Sequence, residues 1–102
     1  MPEITLDTSR MPWGEAVAYP RGTMVKVLRD DGEARSILLK LPPGFEMEVH
    51  SHTCVEQHFV LEGRYEAAGM EYGPGAYRRI PAHTDHGPFF SRAGAVVLVI
   101  WA

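Results

Sequence analysis

This 102-residue sequence contains four side chains, three of them within seven residues of one another, of types that commonly bind metal ions. Three of them are His50, His52 and Glu56, and the fourth, His86, follows 30 residues after Glu56. Imidazole and carboxylate groups suit divalent transition metals, and iron, zinc, manganese, nickel, cobalt and copper all remain open. The residue types therefore predict one metal ion per chain, bound without ligands from a second chain.

The spacing of these ligands predicts that two neighbouring strands present them. Side chains two residues apart on a strand point to the same face, so His50 and His52 would lie about 7 Å apart along it. A hairpin turn over residues 53–55 would fold Glu56 back against this pair. A second turn-rich stretch, residues 74–86, would then bring His86 to the same place.

Two further polar residues are candidates for a catalytic role in the pocket. His58 shares the face of Glu56 on a regular strand, where it is a general base, a group that holds a substrate oxygen, or a core histidine bonded to a neighbour. Arg78 and Arg79 alternate on one predicted strand, so only one of them faces the interior. We assign Arg78 to the pocket, where it would bind an anionic substrate group, and the alternative is a solvated or interface residue. Cys54 is expected to be an inert small residue, and the alternative is an oxidisable thiol or a substitute metal ligand.

Short β-rich runs separated by turns that contain glycine or proline make up most of the sequence. Around the first histidines, Phe45, Met47 and Val49 alternate with polar residues, which is the period of a strand with two distinct faces. No stretch free of glycine and proline offers a long amphipathic helix. The pattern predicts an all-β sandwich or barrel. The predicted strands are residues 23–28, 33–41, 45–52, 56–61, 64–67, 76–80 and 95–101.

Length and charge narrow the class of protein. A chain of this length with 45% hydrophobic residues predicts a single domain over residues 1–102, in which residues 1–14 form an N-terminal arm or edge segment. The formal net charge of -3 argues against a nucleic-acid partner. The longest apolar run, residues 95–102, is too short to span a membrane and predicts a strand buried on both faces. One cysteine and no secretory signal lead us to expect a cytoplasmic protein.

Two stretches of the sequence resemble the motifs of the cupin superfamily. Residues 44–63 match the first motif, G-x5-H-x-H-x3-E-x6-G, at all of its signature positions. Residues 75–86 resemble the second motif, G-x5-P-x-G-x2-H-x3-N, and keep its first glycine, its proline and its histidine. His83 stands at the usual second glycine and Phe90 at the usual asparagine, so the turn before the histidine is expected to differ in shape.

Within the cupins, nearly the whole chain resembles the ChrR-like group and, more distantly, the acetylacetone-cleaving dioxygenases. This resemblance implies a single-domain RmlC-like jelly-roll β-barrel that forms a homodimer and binds its metal through His50, His52, Glu56 and His86. The acetylacetone-cleaving relatives bind iron through histidines alone. Glu56 therefore either ligates the metal directly or turns away from it.

The resemblance also implies two classes of function. The first is a non-haem metal-dependent dioxygenase that acts on a small carbonyl or enolisable substrate. The alternative is a zinc-binding sensor or ligand-binding module without turnover, like the regulatory cupin domain of anti-sigma factors, and an isomerase or lyase is a third possibility. The anti-sigma regulators also carry a helical domain that binds the sigma factor. We expect no room for it in 102 residues and therefore no sigma-binding role.

Overall fold

Antiparallel β-strands form almost all of the regular structure in residues 3–102, the part of the chain that the computed structural model describes. Met1 and Pro2, the start of the expected N-terminal arm, lie outside the described residues. The described part contains ten strands and one 3-10 helix at Thr8–Arg10, and it has no helix long and apolar enough to cross a membrane. The strands are β1 (Gly14–Glu15), β2 (Met24–Asp31), β3 (Ala34–Leu41), β4 (Phe45–Met47), β5 (Glu56–Gly63), β6 (Tyr65–Ala67), β7 (Met70–Tyr72), β8 (Tyr77–Ile80), β9 (Phe89–Ser91) and β10 (Ala95–Trp101).

The strands form two antiparallel sheets. The larger sheet has the order β1-β2-β3-β10-β5-β8, and the smaller has the order β4-β9-β6-β7. Strand β10 lies inside the larger sheet, where it pairs with β3 along its whole length and with β5 on its other side. Consecutive strands often lie far apart in this order, so residues distant in sequence meet across the molecule.

The hydrophobic core lies between the two sheets. Val60, Val97 and Val99 project into it from the larger sheet, and each is at most 2% exposed. Phe45 and Phe89 contribute from the smaller sheet and belong to the same buried cluster. Burying an apolar side chain of this size contributes roughly 1.5–3 kcal/mol, so these residues fix the distance between the sheets.

Each of the seven predicted strand regions overlaps a strand of the structure, although β4 ends at Met47 and not at residue 52, and the all-β prediction is confirmed. Strands β1, β7 and β9 were not predicted, because two or three residues are too few to show a period of two. Along residues 95–101 the side chains alternate between buried and half-buried. The predicted C-terminal strand is therefore present, but only one of its faces is deeply buried.

The N-terminal segment is fastened to β2 through Lys26. Its ammonium group donates a hydrogen bond of 2.7 Å to the carbonyl oxygen of Thr8 and lies 4.5 Å from the centre of the Trp13 ring. Lys26 is only 9% exposed, because the segment covers it. A cation over an aromatic face is attracted to the ring, which explains why a buried lysine is tolerated here.

Candidate metal centre

The segments that carry the histidines are hydrogen-bonded to each other rather than built into long strands. His50 and His86 form an isolated antiparallel bridge, in which each backbone N–H donates to the carbonyl oxygen of the other at 3.0 and 2.8 Å. The N–H of His83 donates to the carbonyl oxygen of His52 at 2.7 Å. The connection between β4 and β5 is thereby joined to the connection between β8 and β9, and Glu56 begins β5 beside them.

The predicted hairpin between His52 and Glu56 is wrong. Strand β4 ends at Met47 and pairs with β9 in the smaller sheet, whereas β5 pairs with β10 and β8 in the larger sheet. The chain crosses from one sheet to the other over residues 48–55. Two sheets, and not two neighbouring strands, bring the four side chains together.

The four predicted ligands converge on one point. One donor atom from each of His50, His52, Glu56 and His86 lies within 4.8 Å of the others. His52 Nε2 is 3.2 Å from Glu56 Oε1, and His86 Nδ1 is 3.9 Å from Glu56 Oε2. Glu56 and His86 are buried, while His50 and His52 are half-buried. This cluster can hold a metal ion at the border between the interior and solvent.

The hydrogen bonding of the histidines fits a bound cation. His86 Nδ1 is buried and has no hydrogen-bond partner among residues 3–102, which is uncommon and unfavourable for a polar atom. His50 Nδ1 lies 3.1 Å from the carbonyl oxygen of Glu48, so that nitrogen donates and Nε2 keeps a free lone pair. A metal ligand histidine commonly has its other nitrogen fixed in this way.

Electrostatics favour the protonation states that metal binding requires. Burial lowers the pKa of His86 to about 4, although the Glu56 charge opposes this shift. Burial also lowers the pKa of His52, again against the Glu56 charge. Burial alone would raise the pKa of Glu56, but the His58 hydrogen bond and the nearby imidazoles outweigh it and the net shift is downward. Neutral imidazoles beside an ionised carboxylate are the forms that bind metals.

A small cavity adjoins the cluster inside the fold. Its volume is about 40 Å³, which leaves room for a few water molecules or a small ligand. His50, Glu56 and His58 line it on one side. Its apolar lining includes Leu39, Leu41, Phe45, Met47, Val97 and Val99.

The two predicted catalytic residues take part in one hydrogen-bonded chain. His58 is 8% exposed, and its Nδ1 lies 2.6 Å from the Tyr65 hydroxyl while its Nε2 bonds to Glu56 Oε2. Arg78 is half-buried and donates to the Tyr65 hydroxyl at 3.3 Å, whereas Arg79 is exposed. Both His58 and Arg78 are therefore near the cluster, and their catalytic roles stay predictions.

Three aromatic residues contact the site and were not predicted to do so. The Trp101 indole N–H donates to Glu56 Oε1 at 2.7 Å, and Tyr65 bonds to His58. Tyr19 lines the cavity, and burial, reinforced by the Glu56 charge, raises its pKa to about 12. No local pattern marks these residues, since Trp101 follows Glu56 by 45 positions.

Cys54 is half-buried near the cluster, and its sulfur lies 3.8 Å from the carbonyl oxygen of Glu33. It is not a member of the four-residue group found among the described residues. Arg35 lies over the face of Trp101, with its guanidinium carbon 4.2 Å from the ring centre. This contact helps to shield from solvent the indole that donates to Glu56.

The chain matches a known protein family. The sequence profile of the family described as ChrR cupin-like domain matches residues 1–101. No curated protein matches the chain closely enough to count as a relative.

Solved structures with the same fold include proteins of different descriptions. ChrR from Rhodobacter sphaeroides, solved in complex with SigE, is 23% identical with a TM-score of 0.76, and the match covers 94% of this chain but 52% of that one. An RmlC-like cupin from Ralstonia eutropha JMP134 is 23% identical with a TM-score of 0.84, over 100% of this chain and 69% of that one. A candidate acetylacetone dioxygenase from Methylibium petroleiphilum PM1 is 14% identical with a TM-score of 0.86, over 99% and 77%. The chain thus spans about half the length of ChrR, and the predicted jelly-roll fold is confirmed.

Proposed function

The chain belongs to the ChrR cupin-like domain family, and from this premise we propose that it binds one divalent transition metal ion per chain. His50, His52, Glu56 and His86 are the proposed ligands. The observation that carries the proposal is the convergence of one donor atom from each of them within 4.8 Å. Iron and zinc are the leading candidates, and the same donors accept manganese, nickel, cobalt and copper.

As its activity we propose a non-haem dioxygenase reaction on a small carbonyl or enolisable substrate. A bound metal would supply Lewis acidity and a path for electrons between substrate and dioxygen. The walls of the cavity are mostly apolar, and its small volume favours a small substrate. We propose that His58 orients the substrate and that Arg78 binds its anionic group. Both residues contact the Tyr65 hydroxyl.

Oxygen uptake tests this activity. Untagged protein is purified without oxygen, loaded with iron and mixed with β-diketones, β-keto acids and phenolic acids. We expect uptake with at least one substrate class, its loss in His50→Ala, and its retention in His83→Asn, which replaces an exposed histidine of the neighbouring loop. No uptake with any of these substrates would exclude the proposed activity for them.

A second candidate function is a zinc-binding sensor or ligand-binding module without turnover. What favours it is the number of protein donors, because four ligands complete the tetrahedral shell of a structural zinc site and leave no open position. Elemental analysis of untagged protein, purified without added metal or chelator, distinguishes this module from the dioxygenase. Stoichiometric zinc without oxygen uptake supports the module, whereas iron supports the dioxygenase.

We also propose that the chain forms a homodimer through the outer face of the larger sheet. Phe59, Leu61 and Tyr77 are 40%, 43% and 55% exposed there, on the adjacent strands β5 and β8. Large apolar side chains grouped on one face commonly mark an interface.

A further inference from the structure

Both carboxylate oxygens of Glu56 already accept hydrogen bonds from groups that belong to the fold. The Trp101 indole N–H donates to Oε1, and His58 Nε2 bonds to Oε2. Trp101 is 3% exposed and His58 is 8% exposed, so water does not compete for these bonds. The two donors come from adjacent strands, since Trp101 of β10 pairs with Glu56 of β5.

The His58 bond is oriented by a longer chain. Tyr65 lies 2.6 Å from His58 Nδ1, and Arg78 donates to the Tyr65 oxygen at 3.3 Å. Arginine can only donate, so the Tyr65 hydroxyl accepts from it and directs its own proton to His58 Nδ1. His58 then carries its proton on Nε2 and donates it to Glu56. In this series of hydrogen bonds, Arg78 donates to Tyr65, Tyr65 donates to His58, and His58 donates to Glu56.

This arrangement leaves lone pairs of Glu56 facing the histidines. A carboxylate oxygen has about two acceptor directions, so each oxygen keeps one after its bond to Trp101 or His58. Oε1 lies 3.2 Å from His52 Nε2, and Oε2 lies 3.9 Å from His86 Nδ1. Rotation of the carboxylate away from the cluster would break both buried bonds.

We propose that Trp101, His58 and Tyr65 are positioning residues that hold Glu56 in a single orientation toward the metal, with Tyr65 acting through His58. The inference rests on the proposed metal binding. It assigns Glu56 to direct ligation, and it gives His58 a role through Glu56 in addition to any contact with substrate. Loss of an outer hydrogen-bond partner commonly weakens metal binding by about 10–100-fold.

Tyr65→Phe tests the chain, and Tyr72→Phe is the matched control. Tyr72 packs beside Tyr65, with ring centres 5.4 Å apart, and lies under Arg78 at 4.5 Å, but no hydrogen bond joins it to His58 among the described residues. We measure the dissociation constant for Co²⁺ by chelator competition and the visible spectrum of the Co²⁺ form, which reports the coordination number. Tyr65→Phe should weaken Co²⁺ binding about 10–100-fold and change the spectrum, whereas Tyr72→Phe should resemble the wild type.

The indole N–H resonance of Trp101 gives a readout without metal. The chain has two tryptophans, so Trp13→Phe assigns the two indole signals. In metal-free protein, Tyr65→Phe should shift the Trp101 signal and leave the Trp13 signal in place. Trp101→Phe, which removes the donor to Oε1, is the second variant if Tyr65→Phe does not fold, and it should weaken Co²⁺ binding by a similar factor.

Unchanged Co²⁺ affinity in Tyr65→Phe and Trp101→Phe would overturn this inference and leave the proposed metal binding intact. Absence of Co²⁺ and zinc binding in the wild type would overturn both. An unmoved Trp101 signal in Tyr65→Phe, together with weaker Co²⁺ binding, would also overturn it, because the effect would not pass through Glu56.

Discussion

Glu56 bonds to Trp101 and His58, and its two carboxylate oxygens also lie 3.2 Å and 3.9 Å from nitrogens of His52 and His86. Its orientation separates two kinds of centre. A carboxylate that ligates the metal gives a four-ligand centre, whereas one that turns away leaves an additional position for substrate or oxygen. The bonds from His58 and Trp101 favour the first kind.

The burial of His86 predicts that the stability of the metal-free protein depends on pH. Its pKa falls from the ordinary value of 6.5 to about 4 in the folded protein, mainly through burial. Between these values the unfolded chain binds a proton that the folded chain does not, so the stability of the metal-free protein falls as the pH is lowered through this window. Melting temperatures measured from pH 7 to pH 4 should decline, and the lowered pKa of His52 adds to the decline.

His86→Asn removes the titrating group and should reduce the dependence of the melting temperature on pH. His83→Asn is the control, since it replaces an exposed histidine with a residue that tolerates the backbone φ of 59° found there. If the melting temperature of His86→Asn depended on pH as steeply as that of the wild type, His86 would not be the group responsible.

Among the elements, the junction between β5 and β6 depends on Gly63. Its φ is +67°, and a Cβ there would lie 2.2 Å from the carbonyl oxygen of Gly94 and 2.8 Å from the Cα of Ala95. Gly63 and Ala95 are paired residues of β5 and β10. Gly63 is the last glycine of the first motif. Both its positive φ and the close approach of the neighbouring backbone therefore require glycine at this position.

Gly63→Ala should destabilise the protein by more than the roughly 1–3 kcal/mol that a left-handed backbone costs a residue other than glycine. The additional loss comes from backbone atoms that cannot move aside. Gly69→Ala is the matched control, because its φ is +77° and nothing lies within 4 Å of the added Cβ. Urea unfolding of both variants measures the difference, and equal losses would show that φ alone matters.

For the whole molecule, metal binding couples to stability, because the proposed ligands come from separated parts of the chain that only the folded state brings together. A ligand present at 100 times its dissociation constant stabilises the folded state by about 2.7 kcal/mol. For a domain of this size, zinc should raise the melting temperature by roughly 10 °C or more, and a chelator should reverse the change. His50→Ala should show no such increase.

The exposed apolar face predicts the oligomeric state. Phe59→Glu places a charge in the proposed interface and should convert the dimer to a monomer, as measured by light scattering after size-exclusion chromatography. Met70→Glu is the control, because Met70 is 60% exposed on β7 of the other sheet. A strictly monomeric wild type would contradict the proposed dimer.

The sequence by itself determined the donor types and the all-β class. Both depend on local information: His50, His52 and Glu56 are close in the chain, and turn residues and alternation mark the longer strands. His86 lies 30 residues further along the chain, where its residue type and the turn-rich stretch before it made it a candidate and the resemblance to the second motif supported it. Short strands such as β9 gave too little pattern to be recognised.

Only the tertiary structure decided how these residues meet. It replaced the expected hairpin with the bridge between His50 and His86, and it placed Trp101 and Tyr65 around Glu56 and His58. The bridge joins two connections between strands, and the other contacts join strands that are neighbours in a sheet but distant in sequence, or that lie in different sheets. Which residues meet in this way depends on how the whole core packs. The sequence does not reveal it, because a hydrogen bond between distant residues leaves no periodic pattern along the chain.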